Sequence, residues 1–284
     1  MRQSLERIKR MEVKNIQEVK EARMLPIAGQ MQKEISTESK CPICKGFGWE
    51  MYDDENGVAH ARDCSCGLRT RQAMYSKLSF ANIPETFKGN RLSDFRRDIY
   101  RSEESRKIIE VDCKAVDWWL GQIDRMKAEG RGLYLYSNCK GSGKTMMATA
   151  IANELIYEHG MNVKFATSVQ IINEIKASWD KEEGVSEHQL LDDLAKAEVL
   201  IIDDFGIETV RDWIVEKIYQ IINQRYINRK ITIFTSNYSV DELTYDDRIT
   251  NRIKEKSYML AFPNESIRDY IFEMNMAELK AAIA

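Results

Sequence analysis

The residues Asn138-Cys139-Lys140-Gly141-Ser142-Gly143-Lys144-Thr145 carry the most specific chemistry in the chain. Glycines at 141 and 143 let successive backbone N–H groups turn inward around anionic oxygens, and a helix opening there adds the positive end of its dipole. Lys144 offers a cation to β- and γ-phosphates, and Thr145 offers a hydroxyl to Mg²⁺. The run follows G-x-x-x-x-G-K-T except at its first position, where Asn138 stands for glycine. Asparagine tolerates left-handed backbone better than most residues, so the loop is expected to keep its shape. ATP is the expected ligand of residues 138–145.

Downstream, Val199-Leu200-Ile201-Ile202 runs into Asp203-Asp204. An aliphatic strand ending in two carboxylates is the second half of such a site. Asp203 is expected to hold Mg²⁺ beside Thr145, and Asp204 to orient or activate the attacking water. Many sites of this kind carry glutamate at the second position. Aspartate is one methylene shorter, which predicts slow hydrolysis suited to a switch. A further strand, Ile231–Thr235, ends in Ser236-Asn237. In P-loop ATPases with a strand inserted between the two nucleotide-binding strands, a polar residue there contacts the γ-phosphate, so Asn237 is the candidate. Arg248 and Arg252 are four residues apart on an expected helix and share one face. From a neighbouring subunit, a guanidinium there would stabilise transition-state charge. Arg268 falls in the first turn of a helix expected to be capped by Asn264, placed for contact with phosphate in cis.

A second chemistry lies near the N-terminus. Cys41 and Cys44, then nineteen residues, then Cys64 and Cys66 give four thiolates in two close pairs. A tetrahedral structural Zn²⁺ site needs two short knuckles joined by a hairpin. Gly46 and Gly48 suit the first knuckle, and Asp54-Glu55-Asn56-Gly57 a hairpin tip. His60 is a reserve ligand. Cys113 reads as core, and Cys139 sits inside the loop beside Lys140.

A parallel α/β sheet has to position these groups. Strands are expected at Leu133–Tyr136, Val163–Thr167, Val199–Ile202 and Ile231–Thr235. Helices are expected at Leu68–Leu78, 102–127, Gly143–His159, Val169–Trp179, Leu190–Ala197 and Trp213–Asn228, with an all-helical tail from Asp241. Residues 1 to 38 read as a charged helix. The expected division is an N-terminal helical and zinc-binding domain over 1–80, a linker over 81–98 around Pro84, and an ATPase domain over 99–284. Within 284 residues, 43% hydrophobic content is enough for a sizeable core. The 42 basic and 45 acidic residues argue against a surface coated with nucleic acid, while leaving room for a local groove at Lys164, Phe165 and Lys176. No apolar run approaches the ~20 residues of a membrane span. The charged N-terminus is no secretory signal, so a soluble cytoplasmic protein is expected.

In combination, these residues resemble bacterial and phage helicase loaders of the DnaC/DnaI type, which are AAA+ ATPases. The resemblance is carried by the P-loop with Met146–Leu155, by Asp203-Asp204-Phe205-Gly206, by Ile221–Tyr226, by Thr235-Ser236-Asn237 and by Ala81–Gly89. It implies Asn237 as sensor 1, Arg252 as arginine finger, Arg268 as sensor 2 and Arg248 as a supporting arginine. It further implies an ATP-dependent homo-oligomer that acts on a DnaB-type hexameric helicase and single-stranded DNA, with the cysteine-bearing domain gripping the helicase. An IstB-like transposition helper shares the ATPase core but typically lacks zinc ligands. An ATP-binding scaffold with little hydrolysis would lose nothing on mutation of Asp204.

Overall fold

Burial alternates along the central strands and sorts their side chains onto two faces. In the computed structural model, which describes residues 41–179, 187–208 and 211–283, five parallel strands form one sheet. They are β3 (Gly132–Tyr136), β4 (Val163–Thr167), β5 (Val199–Phe205), β6 (Ile231–Ser236) and β7 (Ser257–Ala261), in the order β4-β5-β6-β3-β7. Leu133, Leu135, Val163, Phe165, Val199, Ile201 and Ile233 face one core, while Tyr134, Ala166, Leu200, Ile202 and Phe234 face the other. A parallel sheet buried on both sides explains the unbroken aliphatic run of β5.

Helices cover both faces. On the first lie α1 (Leu68–Ala81), α2 (Glu103–Gly121), α3 (Ile123–Glu129) and α4 (Lys144–Tyr157). On the second lie α5 (Ser168–Trp179), α6 (Glu187–Lys196), α7 (Asp212–Ile227) and α8 (Asp247–Lys256). The last helix, α9 (Ile267–Ile283), follows β7 and contains no buried residue. N-terminal to the sheet, β1 (Trp49–Asp53) pairs antiparallel with β2 (Ala59–Asp63) as a hairpin. The expected N-terminal helix over 1–38 lies outside the described residues.

The sequence expectations need correction at two places. The tail is not all-helical: Ser257–Ala261 is a strand in parallel register with β3. Five residues between two helical patterns give periodicity too little length to register. The expected helix over 102–127 is two helices divided at Gln122, the first capped by Ser102, whose hydroxyl accepts from the Ser105 N–H. Within the expected linker, Ala81, Ile83 and Phe95 are buried in the same core as α2 and α4.

Two buried charges bear on stability. Arg225 on α7 is fully enclosed and donates to the carbonyls of Leu194 and Ala197 and to the Thr232 hydroxyl. It thereby ties the end of α6 to the sheet. Asp112 on α2 is buried, its Oδ2 without a hydrogen-bond partner among the described residues. Burial pushes its carboxyl up to about 7. Near pH 6 the folded chain therefore holds a proton there that the unfolded chain does not, so this group's contribution to stability rises as pH falls through about 7. Asp112→Asn is expected to stabilise the protein by about 1–3 kcal/mol near pH 8 and by less near pH 5. Urea unfolding at the two pH values checks this, and equal effects at both would refute it.

Candidate nucleotide site and cysteine centre

The loop between β3 and α4 closes over the sheet's C-terminal edge. Gly141 and Gly143 have φ of 81° and 99°, the left-handed backbone the sequence requires of them. Asn138 does not adopt it, so the replacement of glycine there needs no left-handed backbone. It is exposed, as is Lys140. Lys144 is buried at the loop's centre, where Nζ donates to the carbonyls of Ser137 (3.2 Å) and Cys139 (3.1 Å) and to Ser142 Oγ (3.3 Å). Burial holds its ammonium below the ordinary lysine range, against the attraction of Asp204 and Asp203.

The order of the strands brings the second half of the site to the first, with β6 between β3 and β5. Thr145 Oγ1 donates to Asp203 Oδ1 at 2.9 Å, and the Thr235 hydroxyl donates to the same oxygen. Burial raises the Asp203 carboxyl and the Asp204 charge adds to this, while the two hydroxyls oppose it. Asp204 lies at an irregularity in the β5–β6 register with φ of 54°. Its N–H donates to Thr235 Oγ1 (3.0 Å), and its carbonyl accepts from Ser168 Oγ (2.9 Å). A left-handed, bulged backbone favours aspartate over the longer glutamate, which accounts for the residue found there. Asn237 directly follows β6, on the same edge.

Arg268 also joins the site. Its Cγ lies 3.1 Å from where a Gly141 Cβ would stand, and the Ile267 N–H donates to the Gly141 carbonyl. Asn264 does not cap α9: Ser266 Oγ accepts from the Asp269 N–H, while Asn264 Oδ1 accepts from Ser137 Oγ. Sequence reasoning missed Tyr100, Phe95, Thr235 and Ser168. Tyr100 donates to the Ser142 carbonyl at 2.8 Å, and with Phe95 and Ile267 it crowds the place a side chain at 143 would take, where the left-handed backbone already favours glycine. Thr235 was legible as the first residue of Thr-Ser-Asn, but Tyr100 and Phe95 carry no local signal.

Arg248 and Arg252 lie apart from this cluster. Arg248 pairs with Asp246 (2.9 Å), and both arginines stack on Tyr219 of α7. The suggested strand platform does not form, because Phe165 is core; Lys164 lies over Phe80 and Lys176 over Trp213. Cys139 is half-buried, its Sγ 3.5 Å from the Lys140 carbonyl. Alkylating Cys139 is expected to block ATP binding, and full binding by protein stoichiometrically modified there would refute it.

The four cysteines of the N-terminal pairs converge, with all sulfurs within 4.8 Å of one another. The Cys41–Cys64 and Cys44–Cys66 separations are 3.8 and 3.6 Å. A tetrahedron with 2.3 Å metal–sulfur bonds has edges of about 3.8 Å, so the donor set fits a Zn²⁺-sized ion. Burial opposes the Cys44 thiolate, but backbone N–H groups of Gly46 and Gly48 and the Cys66 and Cys41 thiols prevail and bring it to about 6. At Cys66 the Leu68 N–H lowers the thiol, yet burial and the three other sulfurs push it up to about 12. Four thiols so close resist shedding all their protons unless a cation shares them. His60 is not of this group: it stacks on Tyr52 and lies 3.1 Å from Asp54.

A P-loop, an acid-tipped neighbouring strand and a strand between them define an AAA+ ATPase domain. Residues 133–269 match the family described as IstB-like ATP binding protein. The chain is 28% identical over 222 residues to the uncharacterized protein YqaM of Bacillus subtilis (strain 168), covering 75% of this chain and 63% of that protein. It is 31% identical over 123 residues to the replicative helicase loader DnaC of Escherichia coli (strain K12), covering 43% of this chain and 49% of that protein. The chain thus spans about half the length of that DnaC. A crystal structure of the DnaC helicase loader shares the fold, with a TM-score of 0.53, 23% identity, and coverage of 63% of this chain and all of that one. No helix among the described residues is long and apolar enough to cross a membrane.

Proposed function

We propose that this protein is an ATP-dependent loader of a DnaB-type hexameric replicative helicase onto single-stranded DNA, acting in the cytoplasm. What carries the reading is the pairing of Thr145 with Asp203 across the loop, in a domain whose relatives include replicative helicase loaders. Residues 138–145 hold the triphosphate, with Lys144 and Arg268 against its charge. Thr145 and Asp203 hold Mg²⁺, which when bound screens phosphate charge. Asp204 accepts a proton from the attacking water while Asn237 orients it, and Arg252, supported by Arg248, reaches the nucleotide of the next protomer. Hydrolysis is slow, so ATP works as an assembly and release switch. Cys41, Cys44, Cys64 and Cys66 bind Zn²⁺, and the domain over 1–80 grips the helicase.

The family match to IstB-like proteins favours a second reading, a transposition helper. Against it stands the four-cysteine centre. Co-sedimentation with the replicative helicase of the same source, with and without ATP, separates the two. The loader reading expects a nucleotide-sensitive complex that Lys144→Ala weakens or alters. Absence of any complex, together with ATP-dependent binding to a transposase, would favour the helper.

A further inference from the structure

Along α8, Arg248, Arg252 and Lys256 fall at i, i+4 and i+8, a row of like charges that an isolated helix disfavours. Two rings of α7 interleave with them. The Arg248 guanidinium carbon lies 4.8 Å from the centre of the Tyr219 ring, and that of Arg252 lies 5.1 Å from Tyr219 and 5.3 Å from Tyr226. Lys256 Nζ lies 5.5 Å from Tyr226. The outer two cations have carboxylates, Asp246 for Arg248 and Glu255 for Lys256. Arg252 is different: among the described residues its partners are the Arg248 carbonyl (2.7 Å) and the Tyr219 hydroxyl (3.4 Å), and its buried Nε has no partner.

A carboxylate would fix this guanidinium by neutralising it. Aromatic faces fix it by dispersion and by the ring quadrupole, leaving its full charge for another anion. Tyr226 is itself held, its hydroxyl donating to Glu255 at 2.9 Å. Beside the row, a groove of about 540 Å³ runs along α7, lined by Val215, Tyr219, Asn223 and Arg248.

We propose that Tyr219 and Tyr226 are positioning residues that clamp Arg252 between two rings and present it, uncompensated, to the nucleotide bound by a second copy of the chain. This rests on the reading of Arg252 as acting in trans. The tyrosines serve the neighbour's site and leave their own subunit's P-loop untouched. The tyrosine faces do most of the work and the hydroxyl bonds to Glu255 and Arg252 the rest, so phenylalanine keeps the larger part of the clamp at either position.

Mixing experiments on the full-length protein test this. Tyr219→Ala and Tyr226→Ala are expected to lower ATP turnover at saturating ATP by about tenfold, with affinity for a fluorescent ATP analogue within about twofold of wild type. Tyr219→Phe and Tyr226→Phe should keep at least about half the turnover. When either alanine variant is mixed with Lys144→Ala, turnover should exceed the sum of the two alone, because the Lys144→Ala subunit brings an intact Arg252 to a working P-loop. Arg252→Ala mixed with Lys144→Ala is the reference. Restoration there without a defect in the tyrosine variants, or with a defect that mixing does not relieve, overturns the clamp alone. Failure of the Arg252→Ala mixture to recover removes the trans-acting arginine, and the clamp with it.

Discussion

Asp204→Asn is expected to lower ATP turnover by about 10²- to 10⁴-fold while leaving ATP affinity within a few-fold of wild type. The backbone there is fixed from both sides, by Thr235 at the N–H and Ser168 at the carbonyl. Asparagine tolerates φ of 54° as aspartate does, so the bulge survives and only the oxygen proposed to accept the proton is lost. Asp203→Asn should behave differently. Asp203 accepts from both Thr145 and Thr235 and is the proposed Mg²⁺ ligand, so its loss should weaken nucleotide binding as well as turnover. Asp204→Glu should not speed the reaction despite restoring the commoner acid, because a longer side chain fits left-handed backbone poorly. Single-turnover hydrolysis beside equilibrium ATP binding resolves all three. Wild-type turnover by Asp204→Asn would show that another group handles the water.

Stripping the proposed Zn²⁺ from the four-cysteine centre, or replacing Cys44 with serine, is expected to unfold residues 41–66 while the sheet domain stays folded. The hairpin has little else to hold it. Every residue of β2 is exposed, and so are four of the five in β1. Of the residues between 41 and 66, only Cys44, Gly48 and Cys64 are buried. Two strands alone are at best marginally stable in water, whereas a structural Zn²⁺ contributes on the order of 10 kcal/mol. The sheet keeps its own two cores. Hydrogen exchange by mass spectrometry, with and without chelator, should show deprotection of peptides from 41–66 and unchanged protection of β3 and β5. Unaltered exchange at 41–66 in protein verified as metal-free would exclude the metal as its scaffold.

Much of this was legible in residue order because the chemistry depends on local spacing. Gly141, Gly143, Lys144 and Thr145 are neighbours in the chain, and a phosphate loop is a local backbone shape. Strand β5 could be read because burial on both faces leaves an aliphatic run that ends at its two acids. The cysteine pairs could be read because a knuckle spans only a few residues. Folding alone set what lies across long separations. Tyr100 reaches Ser142, Arg268 lies over Gly141, and β7 pairs with β3, since a parallel sheet joins strands through crossovers that leave no trace in either partner. The backbone of Asp204 belongs to the same class: the sequence names an aspartate, and the register slip between β5 and β6 makes aspartate the fitting acid. Arg252 shows the division most plainly. Its spacing from Arg248 placed both on one helix face, but only the packing of α7 against α8 set it between two tyrosine rings, with no carboxylate paired to it among the described residues.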